Sequence, residues 1–322
     1  MKKATTVWLI TAASLVLLGA LIFGGSLMAL HFDFSKLSTT KYETNTYAVT
    51  EEFHSVYVFT DTADVTFLRS DDEKASVVCT ESVKMKHTVS VEDGTLTVNR
   101  TDTRKWYEYI SIFSKKERVT VYLPKSEYDS ITVKGSTGNV RLSEELLLRN
   151  IDVAISTGDV ICLSDTAELM KLKTTTGHIY ISNVTAGSME LKVSTGDVEL
   201  MSATVTGEVN VKVSTGDIEF SGIRCGSLIS TGSTGEVELV DVIATGLFSI
   251  ERSTGDVELT ECDAGEIHIK TDTGDVSGSL LSDKIFFPKS DTGRIRVPKT
   301  TTGGTCAITT DTGNIRFVII LH

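Results

Sequence analysis

Ser194-Thr195-Gly196-Asp197-Val198-Glu199-Leu200 decides the fold, because the chain keeps returning to it. A tripeptide Ser/Asp/Thr-Thr-Gly recurs with its glycine at Gly138, Gly158, Gly177, Gly196, Gly216, Gly235, Gly255, Gly274, Gly293 and Gly313. The intervals are 20, 19, 19, 20, 19, 20, 19, 19 and 20 residues. Two further copies, ending at Gly232 and Gly303, fall outside this register. A fixed period of this length marks a repeat architecture in which each unit buries its apolar face against its neighbours.

The residues around each glycine give the wiring of one rung. Two positions after it stand Val140, Val160, Ile179, Val198, Ile218, Val237, Val257, Val276, Ile295 and Ile315, all β-branched. Four after it stand mostly large apolar residues, with Cys162 in the same column. Seven and five before it come pairs such as Met189/Leu191, Val209/Val211 and Ile267/Ile269. Each group alternates apolar with polar, the period-two pattern of a strand with one buried face. The rung therefore reads as strand, Thr-Gly turn, strand, and a second bend of small residues. The glycine permits a tight turn at positive φ, and the repeated threonines are expected to form a hydroxyl ladder. Stacked at about 4.8 Å, ten rungs give an all-β, parallel β-helix-like solenoid about 45–50 Å long.

Residues 46–130 are β-rich but off this period, and they read as an N-terminal cap over the first rung's open edge. Asp61-Thr62-Ala63-Asp64-Val65 resembles a degenerate rung turn, and Glu92-Asp93-Gly94-Thr95 is a hairpin signal. Val119–Leu123 reads as a strand stopped by Pro124, and Trp106, Tyr107, Tyr109 and Phe113 form an aromatic cluster. At the other end, Phe317–Leu321 is expected to close the stack as a last strand.

The address lies in the first thirty residues. Lys2 and Lys3 precede an uncharged run from Val7 to Leu30. That run exceeds the ~7–15 apolar residues of a signal peptide and meets the ~20 needed to span a bilayer. Its end, Ser26-Leu27-Met28-Ala29-Leu30, puts Leu27 where a cleavage site needs a small residue. The expected layout is a cytoplasmic tail over 1–6, an uncleaved anchor over 7–30, a short stalk over 31–45, the cap over 46–130 and the solenoid over 131–322. Lysines on the short side place the N-terminus in the cytoplasm and the solenoid outside.

A net charge of −12 with no basic face argues against a nucleic-acid partner. The five cysteines are odd in number and show no C-x-x-C spacing. Cys162, Cys225, Cys262 and Cys306 fall on inward positions of the repeat, so buried free thiols are expected rather than disulfides.

The sharpest local feature is a double column of carboxylates. Asp197, Asp217, Glu236 and Asp256 stand one residue after the glycine, and Glu199, Glu219, Glu238 and Glu258 stand three after it. Both columns flank the buried Val/Ile and face outward, about 5 Å apart from rung to rung. Carboxylate oxygens suit Ca²⁺, which makes these eight residues a candidate metal array. The plainer account is that Asp suits the turn and Glu solubilises the surface. A lysine column (Lys134, Lys173, Lys192, Lys212, Lys270, Lys289) stands four before the glycine, as a solvated face or a contact for anionic polymers.

Other chemistries fit poorly. A calcium-binding nonapeptide solenoid needs glycines every nine residues. Ice-binding solenoids carry outward threonines two apart on a flat strand. Enzymes on β-helices build clefts from long loops, and intervals of 19 or 20 residues leave no room for them. The six histidines show no metal spacing, no Gly-x-Ser-x-Gly elbow is evident, and no phosphate-binding loop appears. No catalytic residue and no cofactor is expected.

Phe53-x-x-Val56-x-Val58, Thr62-x-Asp64-Val65, the Leu123-Pro124 strand end and serial Ser-Thr-Gly-Asp-Val, behind an N-terminal anchor, resemble a known family. It is the putative adhesin family of bacterial β-strand-repeat proteins, domain of unknown function 4097, and the likeness covers most of 45–320. The resemblance implies a β-solenoid on the bacterial surface with an adhesive or envelope-associated role, and it transfers no catalytic residue. The expected function is non-catalytic, adhesin-like binding of a cell-surface polymer or protein. The alternative is a regulatory or sensory accessory acting with a membrane partner.

Overall fold

The structure, a computed structural model, describes residues 2–29, 31, 40–103 and 116–320. The aromatic cluster at 106–113, most of the stalk and Leu321 lie outside the described residues.

Helix α1 (Lys2–Ala29) holds the apolar run, and its segment Thr5–Ala29 is long and apolar enough to cross a membrane. Side chains such as Trp8, Leu9, Leu15 and Val16 stand exposed on it.

The ten glycine-marked rungs stack as a parallel β-solenoid, in register along the columns read from the sequence. Val198 pairs with Ile218, Leu200 with Phe220, and Val209 with Leu228. In the Gly196 rung the inward residues are Met189, Leu191 and Val193, then Val198 and Leu200, then Ala203 and Val205, all buried. Three corners separate these three groups. Gly196 makes the first, at φ 127°, and a Cβ there would overlap the Gly177 carbonyl of the previous rung. Only glycine meets both demands. The second corner lies six residues after the glycine, where Asn183, Ser202, Gly222, Asp241 and Glu261 all adopt φ of 52–68°. Stacked small residues form the third, with Gly207 over Gly187 and Gly226 over Gly207.

Among the motif's own threonines, Thr292 on the outermost rung bonds to its neighbour, donating to the Asp311 carbonyl at 3.1 Å, but the inner rungs use another hydroxyl. Thr176, Thr195 and Thr215 are exposed, whereas the inward position three before the glycine holds the ladder. There Thr174 Oγ donates to the Gly158 carbonyl at 3.0 Å, Thr310 to Gly274 at 3.0 Å and Ser290 to Gly313 at 2.9 Å. These bonds satisfy carbonyls that the turn would leave unpaired inside the core.

Both ends of the stack depart from chain order. The N-terminal segment forms β1 (Tyr42–Val49), β2 (Ser55–Thr60), β3 (Ala63–Arg69), β4 (Ala75–Ser82), β5 (Met85–Glu92), β6 (Thr95–Asp102) and β7 (Glu117–Leu123). The first glycine-marked rung follows as β8 (Glu127–Thr137) and β9 (Val140–Leu142). Strand β2 lies in parallel between β6 and β8, and β3 between β7 and β9. The layer 55–69 is thus inserted between layers that follow it in the chain. The cap expected over 46–130 therefore contributes two extra rungs, one of them at the Asp61–Val65 turn. The covering itself is antiparallel: β4 runs against β7 and β1, and β5 against β6 through the Glu92–Thr95 hairpin. Strand β1 also claims residues 42–45 from the expected stalk.

The C-terminal end mirrors this arrangement and corrects the expectation that Phe317–Leu321 closes the stack. Rung 304–319 lies between rung 266–280 and rung 284–296, so the outermost layer is the penultimate one in sequence. Burial explains the order. Cys306, Ile308, Ile315 and Phe317 are buried on the inserted rung. The outer rung is poorer for a core: it carries Pro288 and two arginines, and its Phe287 and Ile295 are 59% and 42% exposed. Proline on an outermost strand also blunts an open edge. Buried Lys284 ties this layer down, its Nζ 2.5 Å from Asp263 Oδ1 and 2.5 Å from Ser282 Oγ.

Candidate functional site

The two carboxylate columns point outward together but engage differently. The column after the glycine is an internal ladder, in which each side chain accepts the backbone N–H at the same position of the next rung. Asp197 Oδ1 takes the Asp217 amide at 2.8 Å, Asp217 Oδ1 the Glu236 amide at 2.7 Å, and Asp256 Oδ1 the Asp275 amide at 2.7 Å. Asp64, Asn139 and Asp159 make the same bond earlier in the stack, and Asp275 and Asn314 make it later. His178 joins in by accepting the Asp197 amide on Nδ1 at 3.2 Å. A two-carbon reach from Cα fits the rung spacing, which is why the column is mostly Asp and Asn. Glu236 is one methylene too long, and among the described residues the ladder breaks between it and Asp256. The Asn314 bonds hold the Asp275 carboxyl below its ordinary value.

The second column is free of such ties. Glu199, Glu219, Glu238 and Glu258 stack directly in register. Partial burial, then repulsion from Glu199 and Glu238 and from Asp217 and Asp197, raises the Glu219 carboxyl above the ordinary glutamate value. A shallow groove of about 220 Å³ lies here, walled by Glu199, Glu219 and Glu238 and floored by Phe220. Tyr180 continues the column on one side, and Ser277, Arg316 and Arg296 on the other. Chemically the strip offers oxygen ligands and negative charge to a hard cation or a cationic partner.

Across the Thr-Gly corner the sign reverses. Lys134, Lys173, Lys192, Lys212 and Lys270 are exposed on the preceding strand, and Lys289 pairs with Asp291 at 3.4 Å. The lysine column is interrupted, with Ala154, Thr231, Glu251 and Thr309 standing in the same register, so only the acidic column is continuous over its four rungs.

One constellation escaped the sequence. Cys79, Glu81 and His87 are buried together in the cap, with thiol, carboxylate and ring-nitrogen atoms all within 4.8 Å of one another. Cys79 and Glu81 alternate onto the same face of β4, and His87 arrives from β5 through the turn at Val83–Lys84. The Cys-x-Glu alternation was the available signal, but the turn that brings back His87 has no Gly or Pro to announce it. The other four cysteines are buried in the repeat columns as free thiols. Burial pushes Cys162, Cys262 and Cys306 up to about 12 and Cys225 to about 11.

An insertion-free stack with capped, interleaved ends and charged lateral columns defines a β-solenoid repeat protein carrying an N-terminal apolar helix. More particularly, the chain belongs to the Toastrack DUF4097 family, which matches over residues 54–240 and again over 205–320. Three solved structures are similar at low identity. A putative adhesin from Bacteroides fragilis is 15% identical, with 86% of this chain and 97% of that one covered and a TM-score of 0.37. A putative cell adhesion protein from Clostridium sporogenes is 11% identical, with 88% and 100% covered and a TM-score of 0.31. A putative lipid binding protein from Parabacteroides distasonis is 13% identical, with 87% and 98% covered and a TM-score of 0.28. No curated protein matches the chain.

Proposed function

We propose that this chain is a non-catalytic, membrane-tethered binding protein, adhesin-like in role, that holds its solenoid outside the membrane. Its lateral faces are the contact surface. The observation that carries this reading is an unbroken column of like charge along the regular stack. Four free glutamates, Glu199, Glu219, Glu238 and Glu258, stand in it. The regular rung length supports a non-catalytic role, because catalytic clefts on such scaffolds need long loops. The acidic strip takes a cationic segment of a surface polymer or protein, or Ca²⁺ as a bridge to an anionic one.

The test is attachment of cells displaying the full chain to surfaces coated with cationic, neutral or anionic polymers, with and without millimolar Ca²⁺. Attachment to the cationic surface, or Ca²⁺-dependent attachment to the anionic one, should be lost with Glu199, Glu219, Glu238 and Glu258 all changed to Gln. Equal attachment by that variant removes the acidic strip from the account.

A second reading, an accessory to a membrane partner, is favoured by the short connection between α1 and β1. Residues 30–41 span at most about 40 Å even when fully extended, which keeps the cap near the bilayer. Crosslinking of the anchored chain in intact membranes distinguishes the two. A single stoichiometric membrane-protein partner would support the accessory role.

A further inference from the structure

Glu81 occupies a position where the alternation of β4 calls for an apolar side chain. Its neighbours on that face, Ala75, Val77 and Cys79, are buried, and Glu81 itself is fully buried. A carboxylate taken out of water needs both hydrogen bonds and a compensating positive charge. The hydrogen bonds are present. Glu81 Oε1 accepts from Asn45 Nδ2 at 2.8 Å, and Oε2 accepts from the His87 backbone N–H at 2.5 Å and from ring Nδ1 at 2.7 Å. Nearby cations are engaged elsewhere. Arg100, the cross-strand partner of His87, reaches Asp61 at 2.8 Å, and Lys86 reaches Glu43 at 2.6 Å. That leaves His87, together with the one cysteine that lies outside the repeat.

We propose that Cys79, Glu81 and His87 form a binding site for a single thiophilic divalent cation of the Zn²⁺ type, held by Sγ, Oε2 and Nδ1. Thiolate, imidazole and carboxylate are the three side-chain donors Zn²⁺ uses. Charge also balances: one thiolate, one carboxylate and a neutral imidazole around a divalent ion leave the buried site with no net charge. The supporting shell is in place. Asn45 orients the carboxylate through its other oxygen, and Thr60 Oγ stands 3.4 Å from His87 Nε2, the partner a metal-bound imidazole needs on its far nitrogen.

In the metal-free protein a proton fills the gap, with Nδ1–H donating to Glu81. Metal binding frees the Nδ1 lone pair by moving the ring proton to Nε2, where it donates to Thr60. The Cys79 proton leaves to solvent as the metal–sulfur bond forms. Because binding releases this proton, it strengthens as pH rises. The Glu81–His87 contact opens as tetrahedral donors part to about 3.2–3.7 Å around a Zn²⁺ ion. Such a centre would clamp β4 and β5 to each other in the cap.

Cobalt(II) is the probe, added to the reduced full-length chain in detergent micelles, both folded and during refolding from urea. The expected result is one bound Co²⁺ per chain with a thiolate-to-cobalt charge-transfer band in the near ultraviolet, bleached by Zn²⁺. The band should vanish in Cys79→Ser and His87→Gln and persist in Cys162→Ser, whose thiol is buried in the repeat. Circular dichroism confirms that each variant is folded. No band under either regime, or a band that survives Cys79→Ser, overturns the proposal.

Discussion

Gly232 lacks a side chain where the guanidinium of Arg252, one rung further on, fills the space its Cβ would enter. Both residues stand three before their turn glycines, in the inward column that holds Val193 and Val213 earlier and Thr271 later. Arg252 is 3% exposed, and its Nη2 donates to Ser230 Oγ at 3.2 Å. Burial lowers it to about 10, which still leaves it charged at neutral pH. The off-register Ser-Thr-Gly ending at Gly232 is therefore no turn. It is a strand position cleared for a buried arginine.

Gly232→Val should accordingly destabilise the solenoid by about 1–3 kcal/mol through overpacking. Adding Arg252→Thr should recover only part of that loss, because a Cβ at position 232 would also overlap the Val213 backbone carbonyl. Urea denaturation of the two single variants and the double variant gives the coupling, expected at about 0.5–3 kcal/mol for side chains in contact. Strict additivity would contradict the steric account.

Glu236→Asp should complete the ladder by letting position 236 receive the Asp256 amide. The expected gain is up to about 1 kcal/mol, the net worth of one added hydrogen bond. The reverse change, Asp217→Ala, strands the Glu236 amide and should cost a similar amount. Midpoints of thermal unfolding check both; a Glu236→Asp variant no more stable than the parent would contradict the ladder's role.

Glu219→Gln tests the repulsion within the acidic strip. A carboxyl whose folded pKa is raised binds its proton more tightly in the native state. Its ionisation therefore costs stability as pH rises from the ordinary glutamate value through the raised one. The substitution should stabilise the protein at neutral pH, and the gain should disappear below the ordinary glutamate range. Asp275 has the opposite sign: its contribution is present above the ordinary aspartate value and fades as pH falls through the lowered one. Melting curves from pH 3 to 8 for the parent, Glu219→Gln and Asp275→Asn separate the two.

Ending the chain at Lys299 removes rung 304–319 from inside the stack. In a solenoid stacked in chain order, losing the last rung leaves the rest intact. Here residues 284–296 lose the layer they rest on and should lose amide protection in hydrogen exchange, while rungs near Gly196 keep theirs. Undiminished protection over 284–296 would show that the order of the end layers carries no stability.

The sequence made the rung visible because its period fixes which side chains share a column. Val198 and Ile218 were matched by counting alone. The order of the end layers was invisible for the same reason. A rung such as 304–319 carries the same signature wherever it is inserted, and only burial at Phe287 and Phe317 distinguishes outside from inside. The Thr-Gly motif showed where the chain turns but misplaced the bonding hydroxyl, which sits three before the glycine at Thr174 and Thr310. At the candidate site, spacing brought out the Asp and Glu columns together. It could not show that Asp197 spends an oxygen on a backbone amide while Glu219 spends none. His87 met Cys79 and Glu81 through a turn with no sequence mark.

The acidic strip as a contact surface is tested most directly by calorimetric titration of the full-length chain with decalysine at low and physiological salt. The account predicts saturable, salt-weakened binding. It should disappear when Glu199, Glu219, Glu238 and Glu258 become Gln and persist when Lys134, Lys173, Lys192 and Lys212 do. Binding left unchanged by the four glutamine substitutions, or no binding even at low salt, would contradict it.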